Sequence, residues 1–94
     1  MKLIKGKLVN HLNGEIYTSH FTGEVHDQYY SMEVVNLHEN VTDIDLMYYI
    51  ALTELKKHRQ ELIDGKEITM HLEWYNENNC CRVSKAEFNE KDDY

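Results

Sequence analysis

The chain has no proline, only two cysteines, and no lysine or arginine anywhere between Leu8 and Leu55. Without proline, its turns must be made by Gly, Asn and Asp, the residues that tolerate positive φ or bond their own backbone. Cys80 and Cys81 are neighbours, and neighbours on a strand point to opposite faces, so they cannot staple the fold and form no CxxC pair. A reducing, cytoplasmic compartment is the expectation. No apolar run approaches the ~20 residues of a membrane span, and no apolar stretch follows the basic start Met1 to Lys7, so neither a span nor a secretory signal is expected. With no such signal, the sequon Asn40-Val41-Thr42 reads as a polar loop leading into a helix cap. P-loop, GxGxxG, GxSxG, HExxH and EF-hand patterns are missing, and Gly6, Gly14, Gly23 and Gly65 are the only glycines, so a phosphate cradle is not expected.

What is present is enough for one hydrophobic core. The 94 residues are 41% hydrophobic and 29% charged, with ten aromatics, which separates the chain from disordered sequences. We expect one α+β domain over residues 1–88 and a flexible acidic tail over 89–94. Asn13-Gly14 between two β-rich runs is a strong hairpin signal, predicting strands 3–12 and 15–24. A two-residue turn there sets Leu12 opposite Glu15, Leu8 opposite Ser19 and Ile4 opposite Gly23 on the core face; Lys7 faces His20 on the other. The run Tyr29 to Leu37 is β-rich with apolar residues on both faces, which predicts a central or partner-covered strand. From the cap candidates Thr42 and Asp43, apolar residues recur at helical spacing to Ile63, with Gly65 as a stop, predicting one long amphipathic helix. Ile68, Met70, Leu72 and Trp74 then alternate with polar residues as a half-buried strand. A turn at 76–79 returns the chain with Glu73 facing Arg82, Leu72 facing Val83, Trp74 beside Cys81 and His71 beside Ser84, turning Cys81 inward and Cys80 outward. The expected fold is therefore an antiparallel sheet of about five strands, ordered β-β-β-α-β-β, with one long helix packed on one face.

The chemistry-bearing residues form no recognisable site. The six histidines, His11, His20, His26, His38, His58 and His71, never fall at the short paired spacings of zinc sites, so neither a metal nor another cofactor is expected. Asp43 and Asp45 sit where a helix N-terminus favours negative charge, and Lys56, Lys57, Arg59 and Lys66 where its C-terminus favours positive charge. The only enzymatic reading left would use His20, His71 or Cys80 on the outer sheet face, and a non-enzyme is the expectation.

Charge is the more informative pattern. The net charge of −7 opposes approach to nucleic acid or anionic membranes, and the Lys2, Lys5, Lys7 end is too small a patch to reverse that. Eight carboxylates fall in the stretch without cations, and helix capping explains only some of them. Glu15, Glu24, Asp27 and Glu33, interleaved with Tyr17, Tyr29 and Tyr30, form the candidate partner-binding set. Carboxylates with amphipathic aromatics suit a basic protein surface. In size, acidity and its proline-free, Asn-, Lys-, Tyr- and Glu-rich composition, the chain resembles the small inhibitors that phages and mobile elements direct at host nucleic-acid machinery, anti-CRISPR proteins among them. That resemblance implies a protein partner and inhibition by occluding a basic groove. The alternative is a homo-oligomeric structural or regulatory protein, suggested by Val9 and Ile16 on the outer hairpin face and by the two-faced third strand.

Overall fold

A computed structural model of the protein describes residues 2–75 and 80–89. Its elements are strands β1 (Lys2–Leu12), β2 (Glu15–His26) and β3 (Tyr29–Val35), helices α1 (Ile44–Lys57) and α2 (Arg59–Ile63), and strands β4 (Glu67–Tyr75) and β5 (Cys80–Asn89). Asn89 pairs with Glu67, so it belongs to β5 rather than to a tail; residues 76–79 and 90–94 lie outside the description.

The first hairpin follows the predicted register at every position, from Leu12 opposite Glu15 to Leu3 opposite Glu24, and extends one pair further, to Lys2 opposite Val25. Asn13 at φ 55° and Gly14 at φ 79° form the turn. Both central residues are in the left-handed region, whose twist matches that of the flanking strands. A Gly14→Ala variant, whose methyl would meet no atom within 4 Å, is expected to lose only the backbone term, about 1–2 kcal/mol, in a urea melt.

The sheet is α+β as expected but mixed rather than antiparallel. Its order is β3-β2-β1-β4-β5, and β1 runs parallel to β4, with Gly6 opposite Ile68 and His11 opposite Glu73. Parallel strands need a long crossover, and the segment from β3 to β4 with its two helices supplies it. The third strand is therefore an edge and not central: Tyr30, Met32 and Val34 turn toward the helix, while Tyr29 and Val35 are exposed on the outside.

The helix is shorter than its periodicity suggests. Asp43 caps α1 by accepting from the Leu46 N–H at 3.2 Å, and Met47, Ala51 and Leu55 bury one stripe. At His58 the ladder breaks, because its N–H turns to the Leu55 carbonyl, three residues back. Its ring is held by Glu54 at 2.6 Å and edge-on to Phe88 at 4.9 Å. The 14 residues of α1 therefore span about 21 Å. A new five-residue helix starts beyond, placing Leu62 in the core. That helix ends with Gly65 at φ 89°, whose N–H bonds to Leu62 O while the Lys66 N–H bonds to Glu61 O, the double bond pattern of a glycine-closed C-terminus.

The core lies between the helices and the inner sheet face. Ile4, Leu8, Phe21, Val25, Ile68, Met70, Leu72 and Cys81 meet Met47, Ala51, Leu55 and Leu62, each fully buried aliphatic contributing about 2 kcal/mol. Two polar residues are also buried there, Asn10 and Ser19. Asn10 Oδ1 accepts from the Trp74 indole N–H at 2.8 Å, while its Nδ2 finds no partner among the described residues. No described helix is long and apolar enough to cross a membrane.

Candidate functional site

One face of the sheet is covered by helices and the other is open, so a site is sought first among the side chains of the open face. The seven candidate residues do not share it. Strand parity divides them: Glu24, Tyr29 and Glu33 point outward, Glu15, Tyr17 and Tyr30 share the inner-face register, and Asp27 sits in the β2–β3 turn at φ 44°. Distance divides them again, since the nine-residue separation of Glu15 and Glu24 along β2 corresponds to about 30 Å.

The end of β2 near Glu15 is a structural clasp. The Tyr17 hydroxyl donates to the Glu15 carboxylate and accepts from Asn40 Nδ2 at 2.9 Å, and its ring stacks on His38 with centroids 3.9 Å apart. The bond to Glu15 raises the Tyr17 pKa above its ordinary value. These contacts fasten the loop before α1 to the sheet. Tyr30 is also committed, because its hydroxyl accepts from Arg59 Nη1 at 3.1 Å and its ring lies 5.8 Å from that guanidinium.

What remains is a compact group at the β3 edge. Glu24 lies beside Ser31 and Glu33 beside Thr22, with Asp27 in the connecting turn and Tyr29 65% exposed. His26 bonds Glu24 at 3.2 Å and tilts against the Tyr29 ring at 6.1 Å. Neither Asp27 nor Glu33 has a salt bridge among the described residues.

Over much of the rest of the open face carboxylates are paired with cations, while Lys7 has no ion pair among the described residues. Lys5 reaches Glu67 at 3.3 Å, Arg82 reaches Glu73 at 3.0 Å, and Lys85 reaches Glu87. The Arg82 bond, with a smaller share from the Tyr75 hydroxyl, holds the Glu73 carboxyl below its usual range, and Lys85 does the same to Glu87. An open cleft of about 810 Å³ at the start of β1 is equally mixed, lined by Lys2, Lys5 and Lys66 together with Glu24, Glu33 and Glu67.

Lys7 does face His20, and Ser84 does lie beside His71, donating its hydroxyl to the His71 carbonyl at 3.4 Å; the ladder partner of His71 is Lys85, because a bulge between His71 and Leu72 admits Ser84 as one extra residue in β5. Leu72 opposite Val83, Glu73 opposite Arg82 and Trp74 opposite Cys81 stand as predicted. The parallel β1–β4 seam creates a contact that strand patterns did not signal: His11 Nε2 lies 3.1 Å from His71 Nδ1, so one imidazole must donate and the other accept. Among the described residues, no three His, Cys, Asp or Glu side chains converge as a metal-ligand set. Cys81 is buried, and burial, reinforced by the negative charge of Asp43, pushes its thiol up to about 12, which keeps it protonated near neutrality. The Cys80 side chain lies outside the description.

His20 is exposed beside Lys7, and His71 bonds to His11. The open face carries ion pairs over much of its area and, at the β3 edge, carboxylates with no ion pair to lysine or arginine among the described residues; Lys2, Lys5 and Lys66 share a cleft with Glu24 and Glu33, and Lys56 and Arg59 a second with Asp27. No protein-family model, no curated protein and no solved structure matches the chain, so its function has to be argued from this geometry.

Proposed function

We propose that the chain is a non-catalytic protein-binding module that docks its acidic β3 edge on a basic surface of another protein. The observation that carries this reading is the succession of Glu24, Asp27 and Glu33 along the β3 margin that begins at the exposed Tyr29, with no ion pair to lysine or arginine among the described residues, while Glu67, Glu73 and Glu87 on the rest of the face are each paired with a cation. Basic grooves are common on proteins that handle nucleic acids, and the net charge of −7 opposes direct binding to the nucleic acid itself. Occlusion of such a groove would make the protein an inhibitor of anti-CRISPR or other anti-defence type. Charge sets the encounter rate and Tyr29 supplies the desolvated anchor. In this role Glu15, Tyr17 and Tyr30 support the fold, and the partner touches Glu24, Asp27, Tyr29 and Glu33.

The test compares capture of bacterial nucleic-acid-binding proteins by the wild type, by a variant carrying Glu24→Gln, Asp27→Asn and Glu33→Gln, and by Glu15→Gln. Retention by wild type and Glu15→Gln alone, with release as salt shortens the screening length below about 10 Å, is expected. Equal capture by all three rejects the acidic edge as the docking surface.

Self-association is the second reading, favoured by Leu3 at 69%, Ile16 at 60% and Val35 at 47% exposure on the uncovered face. Light scattering at rising concentration decides it: a constant monomer mass removes the oligomer.

A further inference from the structure

The two edges of the sheet are protected to very different degrees. An edge strand displays unpaired N–H and C=O groups, and proteins blunt this with lysine, proline, bulges or cover. The β5 edge carries Arg82 and Lys85, and its pairing with β4 is interrupted by the bulge. The β3 edge, Tyr-Tyr-Ser-Met-Glu-Val-Val, has no proline, glycine, lysine or arginine, and pairs with β2 without a shift from Tyr29 to Val35. Its one backbone cover among the described residues is a side chain. The Val34 N–H donates to the Tyr48 hydroxyl of α1 at 3.1 Å, so this N–H points away from β2. In an antiparallel ladder, backbone groups alternate sides, so those of Met32 and Tyr30 point outward as well. The Tyr48 oxygen thus sits where the carbonyl of a sixth strand would.

We infer that β3 accepts an extended peptide segment as an added strand, its outward side chains basic and its inward ones apolar, with Tyr48 standing in for that strand until it arrives. This rests on the protein-binding function proposed above and gives its mode. Charge selects the partner's outer side: Glu33 lies on β3 itself, with Glu24 one strand away, Asp27 in the adjoining turn and the Tyr29 ring available to a cation. Apolar residues are selected on the inner side, where they extend the half-buried row of Tyr30, Met32 and Val34. Arg59, held over Tyr30, repels a cation there. Backbone hydrogen bonds supply affinity without dictating sequence, and the alternating side chains supply selectivity.

The probe is a short acetylated peptide alternating lysine with valine, fluorescently labelled and titrated at low salt. The wild type is expected to bind it, and counterparts N-methylated at alternate residues, in either register, identify the backbone groups used; one register loses binding. Met32→Pro removes an outward N–H at an edge position where proline is tolerated, and is expected to weaken binding by about tenfold or more. Tyr48→Phe uncovers Val34 and is expected to tighten binding by roughly threefold. Circular dichroism checks that both variants fold; if Met32→Pro does not, the N-methylated peptides test the same bonds on the native protein. Failure of the wild type to bind the peptide, or equal binding of both N-methylated forms, overturns strand addition. In the second case, loss of binding in the variant carrying Glu24→Gln, Asp27→Asn and Glu33→Gln leaves the acidic docking surface standing. Unchanged binding by that variant, with N-methylation still disruptive, removes the basic partner and with it the selectivity inferred here.

Discussion

Replacing Gly6 by alanine is expected to destabilise the protein by about 3–5 kcal/mol, a large part of the 5–15 kcal/mol that typically separates a folded domain from its unfolded chain. Gly6 lies in the central strand, opposite Phe21 on β2 and Ile68 on β4. A methyl group there would overlap the Ile68 carbonyl oxygen and approach two atoms of the Phe21 ring to 2.8 Å. The ring can turn; the carbonyl belongs to the strand that pairs with β1 and cannot retreat without opening the seam. Gly23→Ala makes a useful comparison. Its methyl would overlap the Ser31 carbonyl, but that oxygen belongs to the edge strand, which has a neighbouring strand on one side only and yields more readily than a central one. Urea melts followed by Trp74 fluorescence should therefore rank Gly6→Ala well below Gly23→Ala. A Gly6→Ala protein within about 1 kcal/mol of wild type would mean that β1 and β4 are not packed at this spacing.

The Asn10→Asp variant should lose about 3 kcal/mol at pH 7, with the loss set by pH. Asn10 is fully buried beneath Trp74 with its amide nitrogen already unpartnered among the described residues. A carboxylate could still accept the indole N–H, but its charge would have no cation. Burial raises the folded-state pKa of such an aspartate above the unfolded value near 3.9, so the two states differ in protonation only above that value. The penalty is therefore absent below about pH 4, grows by about 1.4 kcal/mol per pH unit above it, and levels off past the folded pKa. Denaturation of the variant and wild type from pH 4 to 8 measures this; a constant difference would show that the site admits water. Asn10→Leu removes the unpartnered amide and leaves only the half-exposed Trp74 N–H to find solvent, so its loss should be smaller and independent of pH.

Local chemistry was read well and long-range choice was not. Asn13-Gly14 fixes a turn, the turn fixes a register, and that register follows from two residues because side chains alternate with a period of two. Alternation in Ile68, Met70 and Leu72 establishes a strand and its buried face, yet says nothing of which strand lies alongside. The parallel seam with β1 therefore went unread, and with it the meeting of His11 and His71. At His58 the helical spacing continues into Leu62, so periodicity alone concealed the break. For the candidate site, parity already separates Glu15 from Glu24, and the acidic set contracts to the residues around Tyr29 once that rule is applied. What parity could not supply was the place of β3 at the rim of the sheet, which turns a strand with two apolar faces into an exposed margin.

The seam between β1 and β4 also has a kinetic meaning. Each of the other strand pairings joins strands consecutive in the chain, whereas Gly6 must find Ile68 across more than half of it. Closing so long a loop adds entropy cost before any contact is gained, so this pairing is expected to be the slow step of assembly, visible as a single late phase in stopped-flow refolding. Until it closes, the β1–β2–β3 meander and the β4–β5 hairpin are separate nascent units. The strand that ends at the centre of the sheet then spends its early life as an open margin, with the apolar row Ile4, Leu8 and Leu12 bared on one side. A newly made chain is therefore most prone to pair with a neighbour during that interval, and slowing the arrival of β4 would favour aggregates over folded protein without altering any contact of the finished structure.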